Sequence, residues 1–208
     1  MWFAVIIAAL GAYLLGNHNG AVVTSNLVAH EDVRNHGSGN AGLTNFIRNY
    51  GIGKSLFVFL IDGGKAVVGA LAAGLILEPY GFYLEGLVLG SVAVMLGHDF
   101  PVLMDFRGGK GILSGFFIAL VIDWRIGLLI FVVFAVAYGL TLFVSLGSVL
   151  AAAAFTIGFI VLHHDNLLVM AGGVFMGLLT IWMHRTNIVR LVKKQERKTN
   201  LFAKGPKK

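Results

Sequence analysis

Seven apolar runs, each separated from the next by a short polar segment, limit the folds open to this chain. Of its 208 residues 57% are hydrophobic and 12% are charged, whereas a soluble domain carries roughly 25% charged residues. A helix needs about 20 apolar residues to cross the hydrocarbon core of a bilayer. The pattern therefore predicts an all-α, polytopic integral membrane protein with about seven transmembrane helices, near residues 2–28, 55–77, 82–96, 111–122, 125–142, 145–162 and 167–183.

Two of the runs depart from an ordinary span. The first is polar in its middle, at residues 17–20, which predicts a broken helix or one that lines a wet cleft. The fourth, 111–122, is short for a full crossing, so we expect it to be tilted or partly re-entrant. Residues 1–15 lack a basic leader and a clear cleavage site, and we interpret them as membrane helix and not as a signal peptide.

The positive charges predict an orientation. All Lys and Arg residues except Lys65 and Arg125 lie in segments that seven spans place on one side of the membrane. By the positive-inside rule that side is the cytoplasm, so the N-terminus lies outside and the C-terminus inside a bacterial inner membrane. We predict one membrane-embedded domain, 1–192, and a basic cytoplasmic tail, 193–208, that contacts anionic lipid or is partly disordered. Because the basic residues crowd into loops and tail, the net charge of +6 does not indicate nucleic acid.

Three polar patches fall on this predicted cytoplasmic side. The first runs over residues 37–48 and alternates glycines with Ser38, Asn40, Thr44 and Asn45 before Arg48. Glycine lets the backbone wrap an anion, hydroxyls and amides add hydrogen bonds, and arginine grips phosphate with two N–H groups. The pattern is typical of a phosphate site, and equally of a flexible loop.

The second and third patches are shorter. The second covers residues 97–111 and sets Lys110 between glycines at the start of a predicted helix, where backbone N–H groups and the helix dipole favour an anion. It lacks the spacing of a Walker loop. His98 in this patch is read as a hydrogen-bonded helix-end histidine. The third covers residues 184–188 and predicts that His184 and Asn187 share a helix face. Arg185 and Arg190 are interpreted as interfacial anchors.

Charged residues inside a span are costly unless they pair or line a cavity. Asp62 and Lys65 lie three residues apart in the second span, and the sequence leaves open whether they form an ion pair or line the polar cleft. His163, His164 and Asp165 form a polar turn on the opposite side. No acidic cluster accompanies the patches, so neither a metal nor another cofactor is implied.

The three patches, in this order and between these spans, resemble the bacterial acyl-phosphate:glycerol-3-phosphate acyltransferases, the PlsY family. The likeness runs from about residue 10 to residue 198. Its first motif covers Asp32, Val33, Arg34, Gly37, Ser38, Gly39, Asn40, Gly42, Thr44, Asn45 and Arg48. Its second covers Gly97, His98, Phe100, Pro101 and residues 106–111. Its third covers His184, Arg185, Asn187, Ile188, Arg190, Leu191 and Glu196.

Smaller elements also resemble the family, and a few positions depart from it. Asp62 with Lys65 resembles an element of the second span, and Ser145 with Ser148 resembles a serine-bearing junction. The departures are residues 17–21, Leu43, Lys194 and Gln195. None of them replaces a residue assigned to the chemistry, although the first leaves the inner wall of the first span undetermined.

The resemblance implies transfer of a fatty acyl group from acyl phosphate to the sn-1 hydroxyl of glycerol 3-phosphate, giving 1-acyl-glycerol 3-phosphate and phosphate in phospholipid synthesis. As a hypothesis, Ser38, Asn40 and Lys110 surround the donor phosphate and carbonyl, and Arg48, Asn45, His184 and Asn187 hold glycerol 3-phosphate. Ser38, Asn40, Lys110 and His184 are the predicted catalytic residues. The predicted substrate-binding residues are Gly39, Thr44, Asn45, Arg48, Gly108, Gly109, Gly111 and Asn187.

Two further expectations concern mechanism and class. No histidine is followed five residues later by aspartate, so the general base of soluble-type glycerolipid acyltransferases is missing, and a substrate phosphate is the expected proton acceptor. The alternative class is a membrane transporter for an organic phosphate or anion, which would use the broken first span with Asp62 and Lys65. The sequence leaves the oligomeric state open, with a monomer among the possibilities.

Overall fold

The computed structural model describes residues 1–201, and within them the chain is all-helical, with no strand. The predicted fold class is confirmed in this respect, together with the positions of the apolar segments. The α-helices in chain order are α1 (Trp2–Gly16), α2 (Gly20–Ala29), α3 (Leu43–Tyr50), α4 (Ile52–Leu77), α5 (Tyr83–Asp99), α6 (Ile112–Ile122), α7 (Trp124–Thr141), α8 (Val144–Leu162), α9 (Leu167–Met183) and α10 (Arg185–Val192).

The structure supports the predicted spans in part, and the number of seven stays a prediction. Among the described residues, five segments are long and apolar enough to cross a membrane, and α9 with α10 makes a sixth if this bent pair is one span. The exception is α6, whose 11 residues extend for only about 16 Å at 1.5 Å per residue. A hydrocarbon core is about 30 Å thick, so α6 by itself does not cross it.

The first span is broken, as predicted, and its asparagines satisfy the exposed helix ends. The side chain of Asn19 accepts hydrogen bonds from the backbone N–H groups of Ala21 and Val22, at 3.0 and 3.1 Å, and so caps α2. The side chain of Asn17 donates to the carbonyl of Tyr13 at 2.7 Å. The break is therefore a built feature of the span, held by its own polar residues.

Close helix contacts hold α1, α4 and α5 together. A Cβ atom on Gly97 would lie 2.1 Å from the carbonyl oxygen of Tyr13, and one on Gly16 would lie 2.4 Å from that of Val94. Small residues that let backbones approach this closely are typical of helix packing in membranes, where the van der Waals contact replaces the hydrophobic effect. This packing fixes the C-terminal end of α5 beside the break in the first span.

All three polar patches lie at one end of the bundle, which we call the patch end. Loop 1 (residues 30–42) leads into the amphipathic α3, loop 2 (residues 100–111) joins α5 to α6, and α9 meets α10 at His184. The chain bends by 54° between α9 and α10, and His184 is the N-cap residue of α10, with its carbonyl accepting from the N–H of Ile188 at 2.9 Å. His184 and Asn187 line the same cavity.

Candidate active site

A cavity of about 550 Å³ lies at the patch end and combines two kinds of wall. Apolar side chains from α4, α6, α7 and α8 form one kind: Phe59, Ile112, Leu113, Phe116, Ile130, Phe131, Phe134 and Val144. Polar residues from the patches form the other: Ser38, Gly39, Asn40, Thr44, Asn45, Arg48, Lys110, Gly111, Ser145, His184, Asn187, Arg190 and Glu196. Every residue predicted for the site lines this cavity except Gly108 and Gly109.

Loop 1 is shaped by two glycines and one buried amide. Gly37 and Gly39 have positive φ angles of 61° and 71°, a conformation that glycine adopts without strain. The side chain of Asn45 accepts a hydrogen bond from the N–H of Ser38 at 2.9 Å and donates to the carbonyls of His36 and Asn40, each at 3.0 Å. Asn45 therefore holds the loop in shape, and its amide is occupied by the protein.

Ser38 and Asn40, on the loop that Asn45 holds in shape, have side chains without a protein partner among the described residues. Ser38 and Asn40 make no side-chain hydrogen bond with any residue in the described part of the chain, and both line the cavity. Polar groups held by a rigid loop without a protein partner are available to a ligand. The geometry thus separates two roles that the sequence analysis placed together, with Asn45 holding the loop while Ser38 and Asn40 face the cavity.

Loop 2 is pressed against the end of α5 by its glycines. The N–H of Gly109 donates to the carbonyl of His98 at 3.0 Å. A Cβ atom on Gly108 would lie 2.0 Å from that same oxygen, so only glycine fits there. Gly108 and Gly109 consequently lie behind the cavity wall, and they place Lys110 and Gly111 on it. Gly111, with a φ of 72°, is the N-cap residue of α6.

Lys110 is a half-buried cation of the site. Its ammonium donates a hydrogen bond to the side-chain oxygen of Asn187. Burial and the nearby charges of Arg190, Arg185 and Arg48 lower the pKa of Lys110, Glu196 opposes them, and the resulting pKa is about 8. A cation crowded by other cations gains when an anion binds beside it. This surrounding charge favours a phosphorylated ligand.

Asn187 is held between Lys110 and Glu196. Its side-chain nitrogen donates to Glu196 Oε1 at 3.1 Å, so the amide oxygen faces Lys110. The other oxygen of Glu196 accepts from Arg190 Nε at 2.9 Å. Arg190, interpreted from sequence as an interfacial anchor, thus lines the cavity and belongs to this chain of contacts.

His184 has a fixed tautomer. Its Nδ1 lies 2.8 Å from the carbonyl oxygen of Thr180. A carbonyl can only accept, so Nδ1 carries the proton and Nε2 has a free lone pair. His184 is 5% exposed and lines the cavity. In its neutral form it offers the cavity a hydrogen-bond acceptor, and not the donor expected for binding a phosphate.

The C-terminal segment, residues 193–201, packs against the patch end. Arg48 Nε donates to Thr199 Oγ1 at 2.8 Å, and the backbone N–H of Thr199 donates to the carbonyl of Leu142 at 2.9 Å. The hydroxyl of Tyr138 donates to the carbonyl of Thr199 at 3.0 Å. This part of the tail is therefore held by protein contacts, and lipid contact by its exposed basic residues stays a prediction. Residues 202–208 lie outside the described residues.

An ion pair lies inside the bundle next to the cavity. Lys65 Nζ and Asp62 Oδ1 are 2.8 Å apart, and both side chains are at most 3% exposed. Lys65 also donates to the carbonyls of Gly16 and His18, at 3.1 and 2.9 Å, which the break in the first span leaves free. Asp62 lines the cavity as well. The sequence left open whether these residues form an ion pair or line a polar cleft, and the carboxylate of Asp62 does both.

Comparison with known proteins identifies the chain. Residues 6–194 match the family described as Glycerol-3-phosphate acyltransferase. A glycerol-3-phosphate acyltransferase of Finegoldia magna is 35% identical over 93% of this chain and 96% of its own. One of Clostridioides difficile is 35% identical over 94% of this chain and 96% of its own. The chain belongs to the glycerol-3-phosphate acyltransferase family.

Solved structures agree with the family assignment. The crystal structure of PlsY, an integral membrane glycerol 3-phosphate acyltransferase, in its glycerol 3-phosphate form has a TM-score of 0.84 and 29% identity, covering 94% of this chain and 96% of that one. The lysophosphatidic acid form gives a TM-score of 0.81 and 28% identity. The predicted resemblance, the acyltransferase class and the multi-pass membrane fold are confirmed. The transporter alternative is set aside, because the family is one of enzymes.

Several residues of this acyltransferase's cavity were not predicted as site residues. Ser145 lines it with a buried hydroxyl that has no partner among the described residues. It falls in an apolar run with Ser148 three residues on, a signal for one polar face. Glu196 is the only acidic residue after Asp165, which marks it within a basic tail. For His98 the sequence offered no signal beyond its place in loop 2's motif.

Proposed function

We propose that the protein transfers a fatty acyl group from acyl phosphate to the sn-1 hydroxyl of glycerol 3-phosphate, at a site facing the cytoplasm of a bacterial inner membrane. The observation that carries the proposal is the cavity with two kinds of wall. An acyl phosphate has an apolar chain joined to a phosphate, and the cavity joins phenylalanines of the membrane helices to a cationic, glycine-rich rim.

The apolar wall fits the acyl chain. Phe59 of α4, Phe116 of α6 and Phe131 of α7 line the cavity, and rings 116 and 131 lie 6.1 Å apart. Phe59 and Phe131 are 37% and 55% exposed on the membrane-spanning surface. A wall that continues onto the lipid-facing surface lets a long chain remain in hydrocarbon while its head group enters the site.

The polar wall has places for two phosphates. Ser38 and Asn40 of loop 1 with Lys110 of loop 2 surround the donor phosphate. Arg48, Asn187 and Arg190 face the cavity from α3 and α10 and hold the phosphate of the acceptor. Two anionic substrates require this much positive charge. Like the phosphate of a phosphorylated side chain, each carries about −1.5 to −2 charges near neutral pH.

The chemistry is direct displacement. The sn-1 hydroxyl oxygen forms a bond to the acyl carbonyl carbon, the bond from that carbon to the phosphate oxygen breaks, and inorganic phosphate leaves with the electron pair. The hydroxyl proton passes to a phosphate oxygen, which makes the substrate its own base. Positioning and charge stabilisation are then the enzyme's main contributions.

His184 Nε2 is the competing proton acceptor, because its lone pair faces the cavity. The pH dependence of kcat for the wild type and for His184→Asn distinguishes the two bases. We expect the same profile in both, at a lower kcat in the variant. An acid limb that is present in the wild type and abolished in the variant would make His184 the base.

The activity assay uses purified protein in detergent. Release of phosphate from acyl phosphate should depend on glycerol 3-phosphate, and the product should carry its acyl group at sn-1. Acyl-CoA serves as the comparison donor. Turnover of acyl-CoA at an equal rate, acylation at sn-2, or phosphate release without glycerol 3-phosphate would each contradict the proposal.

Orientation has its own test, since the chain has no cysteine. Gly53 and Asp105 at the patch end and Asp165 at the opposite end are all exposed. A single cysteine at 165 should react with an impermeant thiol reagent in intact cells, whereas cysteines at 53 and 105 should react only after permeabilisation. Labelling of position 105 from outside would reverse the topology.

A further inference from the structure

Within the second patch, His98 is buried at the end of α5 and lines the cavity, yet no role has been assigned to it. Its ring is held at both nitrogen edges. Lys65 Nζ lies 2.9 Å from Nδ1, and the backbone of Gly109 lies beside the other edge, where a Cβ atom would come within 2.1 Å of Nε2. A ring held in this way has one orientation.

The contact with Lys65 decides which nitrogen carries the proton. An ammonium group has no lone pair, so a proton on Nδ1 would point at hydrogens to which it cannot bond, and Nδ1 is therefore unprotonated. The alternative partner of Nδ1, Asp62 Oδ1, is 3.5 Å away, beyond the usual N–H···O distance of about 2.7–3.2 Å. A doubly protonated ring would direct an N–H at the ammonium. His98 is thus neutral, with its hydrogen on Nε2.

This Nε2–H group has no acceptor among the described residues. Nε2 is not sealed from its surroundings, and His98 is one of the residues that line the cavity. Its tautomer is opposite to that of His184, whose free Nε2 accepts. One cavity therefore holds a histidine that donates and a histidine that accepts.

The position of this donor indicates its ligand atom. Gly109, against Nε2, directly precedes Lys110, where the donor phosphate is placed. Asp62, on the other side of the ring, is one helical turn from Phe59 of the apolar wall. The carbonyl of an acyl phosphate is the group between phosphate and chain. A donor between the two walls meets that carbonyl oxygen.

We infer that His98 is a catalytic residue whose Nε2–H donates a hydrogen bond to the carbonyl oxygen of the acyl phosphate, and that Lys65 and Asp62 are the positioning residues that fix its tautomer. This deepens the proposed function and rests on it. As the hydroxyl oxygen bonds to the carbonyl carbon, the carbonyl oxygen becomes negative, and the hydrogen bond from His98 strengthens. The charge returns when phosphate leaves, and His98 keeps its proton throughout. Neutral imidazole is suited to polarising a carbonyl in this way.

The experiment compares two amide replacements. In His98→Gln the side-chain nitrogen can occupy the place of Nε2, whereas in His98→Asn it reaches only the place of Nδ1. We expect His98→Asn to lower kcat by roughly 100-fold, as loss of an oxyanion donor does, and His98→Gln to stay within about tenfold of the wild type. The KM for acyl phosphate should change little, because the bond matters most in the transition state.

Further measurements distinguish loss of the hydrogen bond from a folding defect. Thermal unfolding of both variants should be similar, and His164→Asn, exposed at the opposite end of the bundle, should be fully active. Nitrogen-15 NMR of the wild type should show His98 as the Nε2–H tautomer, with a shift on adding a non-hydrolysable acyl phosphonate. Equal activity of the two variants, a change in KM alone, or an Nδ1–H tautomer would overturn the inference.

The two proposals fail separately. A wild type that turns over normally, with His98→Asn as active as His98→Gln, would remove only the role of His98. A wild type without turnover would remove the proposed function, and the response of the His98 signal to the acyl phosphonate would still decide whether this nitrogen meets the carbonyl analogue.

Discussion

The two ends of the bundle carry similar polar side chains but use them differently. At the end opposite the patches, Asp123 accepts from the N–H of Arg125 at 3.0 Å and pairs with its guanidinium at 2.6 Å. Asn166 caps α9 and donates to Glu85 at 2.7 Å. These groups are occupied by the chain itself and cap the N-termini of α7 and α9 in the usual way.

At the patch end, several groups of the same types are left without a protein partner. The hydroxyl of Ser145 is buried and unpaired among the described residues, Nε2 of His184 has a free lone pair, and Ser38 and Asn40 face the cavity. Buried polar groups without partners are costly and are retained where a ligand supplies the missing bonds. The comparison teaches that hydrogen-bonding capacity left open on a cavity marks the site, since His163 Nε2 at the opposite end is also buried without a hydrogen bond but does not line the cavity.

The largest effect that sharpens this comparison comes from Lys110→Ala. We expect kcat to fall by roughly 100- to 1,000-fold, since an ammonium beside a phosphate in a buried site resembles an oxyanion-hole donor in its contribution. Lys110→Arg should restore little, because a planar guanidinium does not replace a compact ammonium between two glycines. The exposed Lys54 on α4 provides the control. Full activity in Lys110→Ala, beside an unaffected Lys54→Ala, would contradict the role of loop 2.

The third patch should give a smaller effect, divided between binding and turnover. Asn187→Ala removes the partner of Lys110 and Glu196 and should raise the KM for glycerol 3-phosphate by about tenfold with little change in kcat. His184→Ala should raise KM and lower kcat together. Steady-state kinetics with varied glycerol 3-phosphate make the test, and an unchanged KM in both variants would exclude this patch from the acceptor site.

A pH profile tests the charge of the site. The pKa of Lys110 is lowered to about 8, so the ammonium is present below that value and is lost as the pH rises through it. We expect kcat/KM to decline by up to about tenfold per pH unit above this value, because kcat/KM reports the free enzyme. Lys110→Arg should lack this limb. The same limb in the variant would assign it to another group.

The smallest effect is expected at the far end. Asp123→Ala removes the N-cap of α7 and should lower the free energy of unfolding by roughly 1 kcal/mol while leaving kcat and KM unchanged. Thermal unfolding and the activity assay together measure this. A loss of turnover without a loss of stability would break the distinction between the two ends.

Much of this protein could be predicted from local sequence. Helix positions follow from apolar length, and the break at residues 17–19 follows from three polar residues in an apolar run. Grouping the patches needed only the count of spans and the charges. Length and apolarity alone identify five or six candidate spans among the described residues, and the short α6 begins after a loop whose Gly109 bonds to the carbonyl of His98.

The roles within the site could not be read in the same way. Asn40 and Asn45 are chemically alike, yet only the fold shows that one amide is occupied by backbone groups while the other faces the cavity. His98 and His184 are the same residue type, and their opposite tautomers depend on partners at Lys65 and Thr180. The partner of His98, Lys65, lies on another helix, α4, whereas the partner of His184, Thr180, lies one helical turn earlier in the chain, on α9.

The sequence by itself determined the membrane class, the approximate helix positions, the family and the list of polar groups at the patch end, because these depend on composition, apolar length and short motifs. Only the tertiary structure decided which of those groups are free. A hydrogen bond joins residues that are distant in the chain, such as Gly16 with Lys65 and Lys110 with Asn187. Whether a side chain has a donor or acceptor available for a substrate depends on those distant neighbours. The local sequence pattern does not predict which residues they are.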